Sequence, residues 1–384
     1  MTRVEDHSPR LLGQDLSENR LESGEIRPLT GIRGFAALMV VLFHFQASWV
    51  LLLPGLSVLT PLARRGYLGV DLFFILSGFI LCYVHKPGTG RFDAREYLKF
   101  LGLRLARVYP NHLATLGFLI GMVALARFVN VPIHGSEYDF RDLPLQLTMT
   151  HAWPGLEDRS AFYWNYPSWS ISCEWFAYLF VFPACWFGLK HNWGPAVFLT
   201  LGYAFLLVWL CVAPRLGNDL VSCILRVACE FAAGATIFRA WWTGPLIGRY
   251  CQQAVTWTLL ATLVALEAVP LEFSYASQTV ILIFPLVLLG LTTETTLVGR
   301  VFSSPVCLWL GNVSYALYMS HALVQKAMKI ALPAERFVHV SLGVRLGVVM
   351  IQLLALLGGA SALYYFVELP SRNCLRKRIR RLAN

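Results

Sequence analysis

Long apolar stretches separated by short polar ones fill the chain from about residue 35 onward. A helix needs about 20 apolar residues to cross a hydrocarbon core of about 30 Å. Runs of that kind lie near 35–53, 67–85, 108–128, 168–189, 195–213, 219–238, 254–270, 277–293, 305–325 and 342–367. They predict an all-α polytopic membrane protein with about ten transmembrane helices. The run at 168–189 is the weakest, because Pro167, Glu174 and Pro183 interrupt it. Such breaks are tolerated where neighbouring helices re-satisfy the freed backbone groups. The first 28 residues are polar, mixed in charge and lack an apolar signal-peptide core. They read as a disordered cytosolic tail, and the first span as an uncleaved signal anchor. Residues 29–370 then form the transmembrane domain and 371–384 a basic cytosolic tail. The segment 86–107 is expected in the cytosol, where it can carry a short amphipathic helix.

Composition strengthens the membrane assignment. Hydrophobic residues make up 57% and charged ones 14%, against about 25% charge in a soluble domain. Mean hydropathy is +0.57. The net charge of +10 is divided among loops. One side collects Arg27, Arg33, Lys86, Arg91, Arg95, Lys99, Arg104, Arg107, Lys190, Arg239, Arg249, Arg300 and the tail from Arg372 to Arg381. The other collects fewer, among them Arg64, Arg65, Arg141, Lys326, Lys329 and Arg336. The excess of Lys and Arg on the first side puts both termini in the cytosol. The charge therefore reads as topology and attraction to anionic lipid, and no nucleic-acid partner is expected. The nine cysteines fall mostly inside apolar runs, with no CxxC pair or Cys/His cluster. They read as small buried hydrophobes, and no metal is expected.

Against this apolar background a few ionisable groups stand out. Arg33 and His44 are eleven residues apart. At about 100° per residue that separation is about 20° past three turns, so both share one helix face. The rise of about 16 Å sets His44 near the membrane midplane, below Arg33 at the edge. A titratable group at that depth is by default functional. Arg104 and Arg107 precede the third span and face the same way if helical. They suit either positive-inside anchoring or a phosphate clamp, since the Arg fork donates two parallel hydrogen bonds. Asp71 lies inside the second span, one face with Gly78, where a small residue permits close helix approach. Trp169, Ser170, Ser172 and Glu174 give the fourth span a polar, aromatic start that suits an interfacial belt or a stacking platform. Tyr315 and His321 lie on the ninth span, and Glu368 at the inner edge of the tenth.

Taken together, these segments resemble the membrane-bound acyltransferase-three family. Its Arg/Lys, ten residues, His pattern is met by Arg33 and His44, and its Gly-Val-Asp-x-Phe-Phe-x-Leu-Ser-Gly-Phe signature by Gly69 to Phe79, including Ser77. Arg104 and Arg107 meet Arg-x-x-Arg, and Trp169 to Glu174 meet Trp-Ser-x-Ser-x-Glu. Ser314 to His321 meet Ser-Tyr-x-x-Tyr-x-x-His, with Met319-Ser320 in place of the usual Leu-Trp, and Glu368 with Pro370 meets Glu-x-Pro. The resemblance implies O-acyl transfer in the plasma (inner) membrane. The donor would be acetyl-CoA or another short acyl-CoA, and the acceptor a hydroxyl of an exported carbohydrate. It implies His44 and Glu368 as catalytic, with Arg33, Arg104 and Arg107 on the CoA phosphates. Asp71, Ser77, Trp169, Ser170, Ser172, Glu174, Tyr315 and His321 would serve the acceptor. The esterase-like domain of some relatives is not expected, since the chain stops shortly after the last motif. A polytopic transporter or flippase is the alternative that intramembrane charges also fit.

Overall fold

The structure, a computed structural model, describes residues 25–87, 92–130, 136–155, 161–216, 220–244, 250–255, 257–259, 262 and 278–383. Among these residues every regular element is helical. The principal helices are α1 (Arg27–Leu52), α2 (Leu68–His85), α3 (Ala94–Phe128), α4 (Tyr166–Gly188), α5 (Pro195–Leu216), α6 (Leu220–Thr243), α7 (Thr279–Gly290), α8 (Pro305–Ala331) and α9 (Leu342–Ile379). Among the described residues, α1 to α6 and α9 are the seven long and apolar enough to cross a membrane.

The differences from the expected spans have local causes. Helix α1 begins at Arg27, with Pro28 in its first turn, where proline lacks no needed donor. Arg33 therefore lies inside the helix and not at its mouth. Helix α3 runs for 35 residues, capped by Asp93, which accepts from Glu96 N at 2.9 Å. The segment 86–107, expected to join the spans and carry a short amphipathic helix, is from Ala94 onward the start of α3 and continuous with the span. Among the described residues, helix α7 is shorter than a membrane span. Helix α8 has 27 residues but carries Asn312, Ser314, Ser320, His321 and Gln325. Ser314, Ser320 and His321 are buried, so their polarity faces the bundle, while Asn312 is exposed. The span expected at 254–270 lies largely outside the described residues.

Packing is organised by two close crossings. Helix α8 runs along α1 and also meets α9, while α6 packs against both α2 and α5. A Cβ on Gly78 would lie 2.0 Å from the Phe231 carbonyl oxygen, and one on Gly234 1.9 Å from that of Ile75. Helices α2 and α6 thus touch backbone to backbone, as small residues allow in membranes. Gly311 of α8 likewise sits against Thr30 of α1. Leu346, Met350 and Leu354 leave an exposed apolar face on α9, suited to lipid.

Two single π turns interrupt α4 at Ala177–Val181 and α9 at Leu363–Glu368. Pro183 has no N–H for the Leu179 carbonyl four residues before it. The Tyr97 hydroxyl of α3 donates to that carbonyl instead, at 2.7 Å. Such turns cluster at functional sites, and these two carry Tyr178 and Glu368.

Candidate active site

Three arginines converge on one cavity. Arg33 of α1 and Arg104 and Arg107 of α3 line a space of about 150 Å³ together with Ser77, Ser170, Glu174, Tyr178, Tyr315 and Tyr318. Glu174 is held by Ser77, whose hydroxyl donates at 2.7 Å, and by the Tyr178 hydroxyl. Arg104 lies over the Phe100 ring at 5.9 Å. Its Nε is buried and makes no hydrogen bond. An unpaired buried guanidinium donor suits an anionic ligand group. The Tyr315 hydroxyl donates to the Val108 carbonyl at 2.5 Å, tying α8 to α3 beside Arg107.

Glu368 belongs to this end of the molecule. It is fully buried, accepts from Asn111 Nδ2 at 2.8 Å, and lies 3.6 Å from Arg107 and 3.7 Å from Arg372. It is absent from the lining of both cavities that border His44. Its geometry makes it an anchor for Arg107.

A second, larger cavity of about 540 Å³ holds His44, Tyr67, Phe162, Tyr166, Trp169, Arg226 and His321. Val70 and Tyr318 line both this chamber and the arginine chamber, so the two adjoin across these side chains. Tyr318 is fixed there by Ser170 Oγ at 2.8 Å and by donation to the Pro167 carbonyl at 3.1 Å. The His44 ring packs against Tyr166 at 4.7 Å and His321 at 5.1 Å between centroids. His44 also borders a third cavity of about 440 Å³ with Gln325, Lys329, Glu335 and Gln352. Arg33 and His44 thus end in adjoining chambers, about 16 Å apart along one helix face.

The remaining candidates divide between these chambers and their supports. Ser77, Ser170, Glu174 and Tyr315, expected on the acceptor side, line the arginine chamber instead. Trp169 and His321 stand with His44. Asp71 backs the His44 chamber by a two-point pair with Arg226, at 2.9 Å to Nε and 2.5 Å to Nη2. Ser172 lines neither chamber. It accepts from Ala152 N at 3.1 Å and donates to the Met149 carbonyl at 2.8 Å, pinning the segment before α4.

Arg226 is the main residue that the sequence reading missed. It lies over the Trp169 ring at 5.5 Å and pairs with Glu230 at 3.6 Å. An Arg and a Glu four apart within an apolar span was the available signal. His151 also went unnoticed. It stacks 6.0 Å from His112 and meets Ser168 Oγ at 3.1 Å. Burial, and secondarily His112, lowers its pKa to about 3.

The acyltransferase-three family profile, described as an acyltransferase domain, matches residues 27–365. The chain belongs to this family of membrane acyltransferases. It is 32% identical over 166 residues to acyltransferase MdmB of Streptomyces mycarofaciens, covering 43% of this chain and 40% of MdmB. Over 82 residues, 21% of this chain, it is 30% identical to the putative peptidoglycan O-acetyltransferase YrhL of Bacillus subtilis. It is 29% identical over the same length to O-acetyltransferase OatA of Staphylococcus aureus. The matches span 11% of YrhL and of OatA, so the chain covers well under two thirds of these relatives. No solved structure matches it.

Proposed function

We propose that the chain is a multi-pass O-acyltransferase of the plasma (inner) membrane with both termini in the cytosol. It moves an acyl group, acetyl in the leading case, from cytosolic acyl-CoA to a hydroxyl of a sugar. The sugar belongs to an exported polysaccharide, lipid-linked glycan or glycolipid. The observation that carries this reading is the pair of adjoining chambers, one lined by three arginines and the other by His44. Family membership and the O-acetyltransferase relatives support the chemistry. The excess of Lys and Arg in the loops of one side supports the orientation.

The arginine chamber is the smaller of the two that adjoin. It suits the phosphates at its mouth and the acyl-bearing arm within, with the nucleotide outside. Arg104, with its unpaired Nε, and Arg107 would hold the phosphates through charge-assisted hydrogen bonds. The arm then carries the thioester past Tyr318 to His44. There the imidazole offers a nitrogen lone pair that can take and return a proton. Two routes use the same residues. In one, His44 takes the proton of the acceptor hydroxyl as its oxygen attacks the thioester carbonyl, the C–S bond breaks, and the proton passes to the thiolate. In the other, a His44 nitrogen attacks the thioester, the C–S bond breaks and CoA leaves as the thiol with the imidazole proton. The acceptor oxygen then takes the acyl group as the N–C bond breaks, and its proton returns to His44. Either route lets the acyl group cross without CoA crossing.

The test is transfer of labelled acetyl from acetyl-CoA to glycan in membranes that carry the chain. Transfer above that of membranes lacking it is expected, and its absence refutes the reading. Arg104→Ala is expected to raise KM for acetyl-CoA about 10-fold or more with less effect on kcat. An unchanged KM removes the clamp.

A further inference from the structure

We propose that His321 is a positioning residue: its Nε2 is the acceptor onto which the His44 imidazole docks its N–H during transfer. This rests on the reading of His44 as the transfer centre. The argument begins at the other nitrogen. His321 Nδ1 lies 2.6 Å from the Tyr318 carbonyl oxygen. A carbonyl only accepts, so Nδ1 carries the proton and donates it. In the neutral ring Nε2 is then a bare lone pair. That nitrogen is buried and has no hydrogen-bond partner, an uncommon condition for a buried polar atom.

The ring beside it is His44, with centroids 5.1 Å apart and planes 33° from parallel. Two imidazoles joined by an N–H···N bond of ordinary length have centroids about 5 Å apart. The two rings thus stand at the separation such a bond needs, and the proposal requires the His44 side chain to turn so that an N–H meets His321 Nε2. His44 has room for it, because its ring borders two cavities. The backbone around it is held: Tyr166 donates to Gln325 Oε1 at 3.1 Å, and Gln325 Nε2 donates to the His44 carbonyl. Tyr166 also packs edge-on against His321 at 5.5 Å.

Docked in this way, His44 presents its other nitrogen as a lone pair to the reacting atoms. As the acceptor O–H breaks and the O–C bond forms, that nitrogen takes the proton, and the imidazolium so formed is held by its original N–H, already bonded to His321. The C–S bond then breaks, and His44 returns the proton to the thiolate. Nothing else is consumed.

Two substitutions separate this role from a structural one. Gln at 321 sets an amide near the Nε2 position and retains an acceptor there. Asn sets its amide near Nδ1 and retains only the donor to Tyr318. Initial rates with acetyl-CoA in membranes, alongside CoA binding by purified protein as a check of folding, are the readout. His321→Gln is expected to keep kcat within about 10-fold of wild type, and His321→Asn to lose about 100-fold. KM for acetyl-CoA is expected to be unchanged in both. Equal losses, or an Asn variant faster than Gln, overturn the proposal. If a variant fails the binding check, ¹⁵N shifts of the wild-type His321 ring decide. A bare Nε2 supports the proposal, and an Nε2–H tautomer overturns it. Full-rate transfer by His44→Ala is a different result, which removes the underlying reading.

Discussion

Glu368→Gln separates two roles that a carboxylate in this family motif can have. Glu368 is fully buried, with Arg107 at 3.6 Å and Arg372 at 3.7 Å, and it accepts from Asn111 at 2.8 Å. With an effective dielectric of about 20, each ion pair at such a distance is worth about 4–5 kcal/mol before desolvation. Removing one member of a buried pair costs about 3–5 kcal/mol. Arg107 and Arg372 keep 24% and 17% exposure, so screening favours the low end, about 3 kcal/mol. Gln preserves the size of the side chain and an acceptor for Asn111, so the loss is electrostatic. Arg107 would then face Arg33, Arg104 and Arg372 without the carboxylate that holds it, and would leave the chamber. A lost charge-assisted bond to a CoA phosphate is worth about 1.5–3 kcal/mol, or about 10- to 100-fold in KM. Initial rates against acetyl-CoA are therefore expected to show raised KM with kcat within a few-fold of wild type. A lowered kcat with unchanged KM would refute the anchoring role and return Glu368 to direct partnership with His44.

Two further outcomes follow from packing and burial. Gly78→Ala puts a Cβ 2.0 Å from a backbone oxygen of α6, while Gly117 on α3 has nothing within 4 Å. Gly78→Ala is expected to lower the detergent melting temperature by an amount equivalent to about 3 kcal/mol or more. Gly117→Ala should be neutral or stabilising, and equal melts for the two would count against the close α2–α6 crossing. His151 lies outside the spanning helices, and burial, with His112 beside it, lowers its pKa to about 3. The unfolded chain, with a pKa of about 6.5, therefore binds a proton that the folded chain refuses. Stability from this group is complete above about pH 6.5 and falls with acidification, by about 2 kcal/mol at pH 5. Melts at pH 7.5 and 5 should show greater acid sensitivity in wild type than in His151→Gln, and equal sensitivity would be inconsistent with the burial of a neutral ring.

Periodicity made the shared face of Arg33 and His44 legible, because helix geometry converts eleven residues into three turns. It also placed Gly78 at a helix contact. It could not say which chamber a side chain enters. Glu174 was grouped with Trp169, yet five residues of helix carry it about 7.5 Å further along α4. There Ser77 and Tyr178 hold it among the arginines. The Glu368 network depends on Arg107, 261 positions away, and on the π turn of α9 that ends at Glu368. Neither follows from local pattern. The polarity of α8 made its span look ordinary only by length. Its buried His321 and Ser314 show that a helix surrounded by others need not be apolar. Arg226 was legible in principle from Glu230 one turn later, but its bond to Asp71 joins residues 155 apart.

The most direct measurement is acetyl transfer from labelled acetyl-CoA to glycan by His44→Ala in membranes, with CoA binding by the purified variant measured in parallel. Loss of transfer by about 100-fold or more with CoA binding intact is expected if His44 is the point where thioester meets hydroxyl. Transfer at the wild-type rate would contradict that assignment.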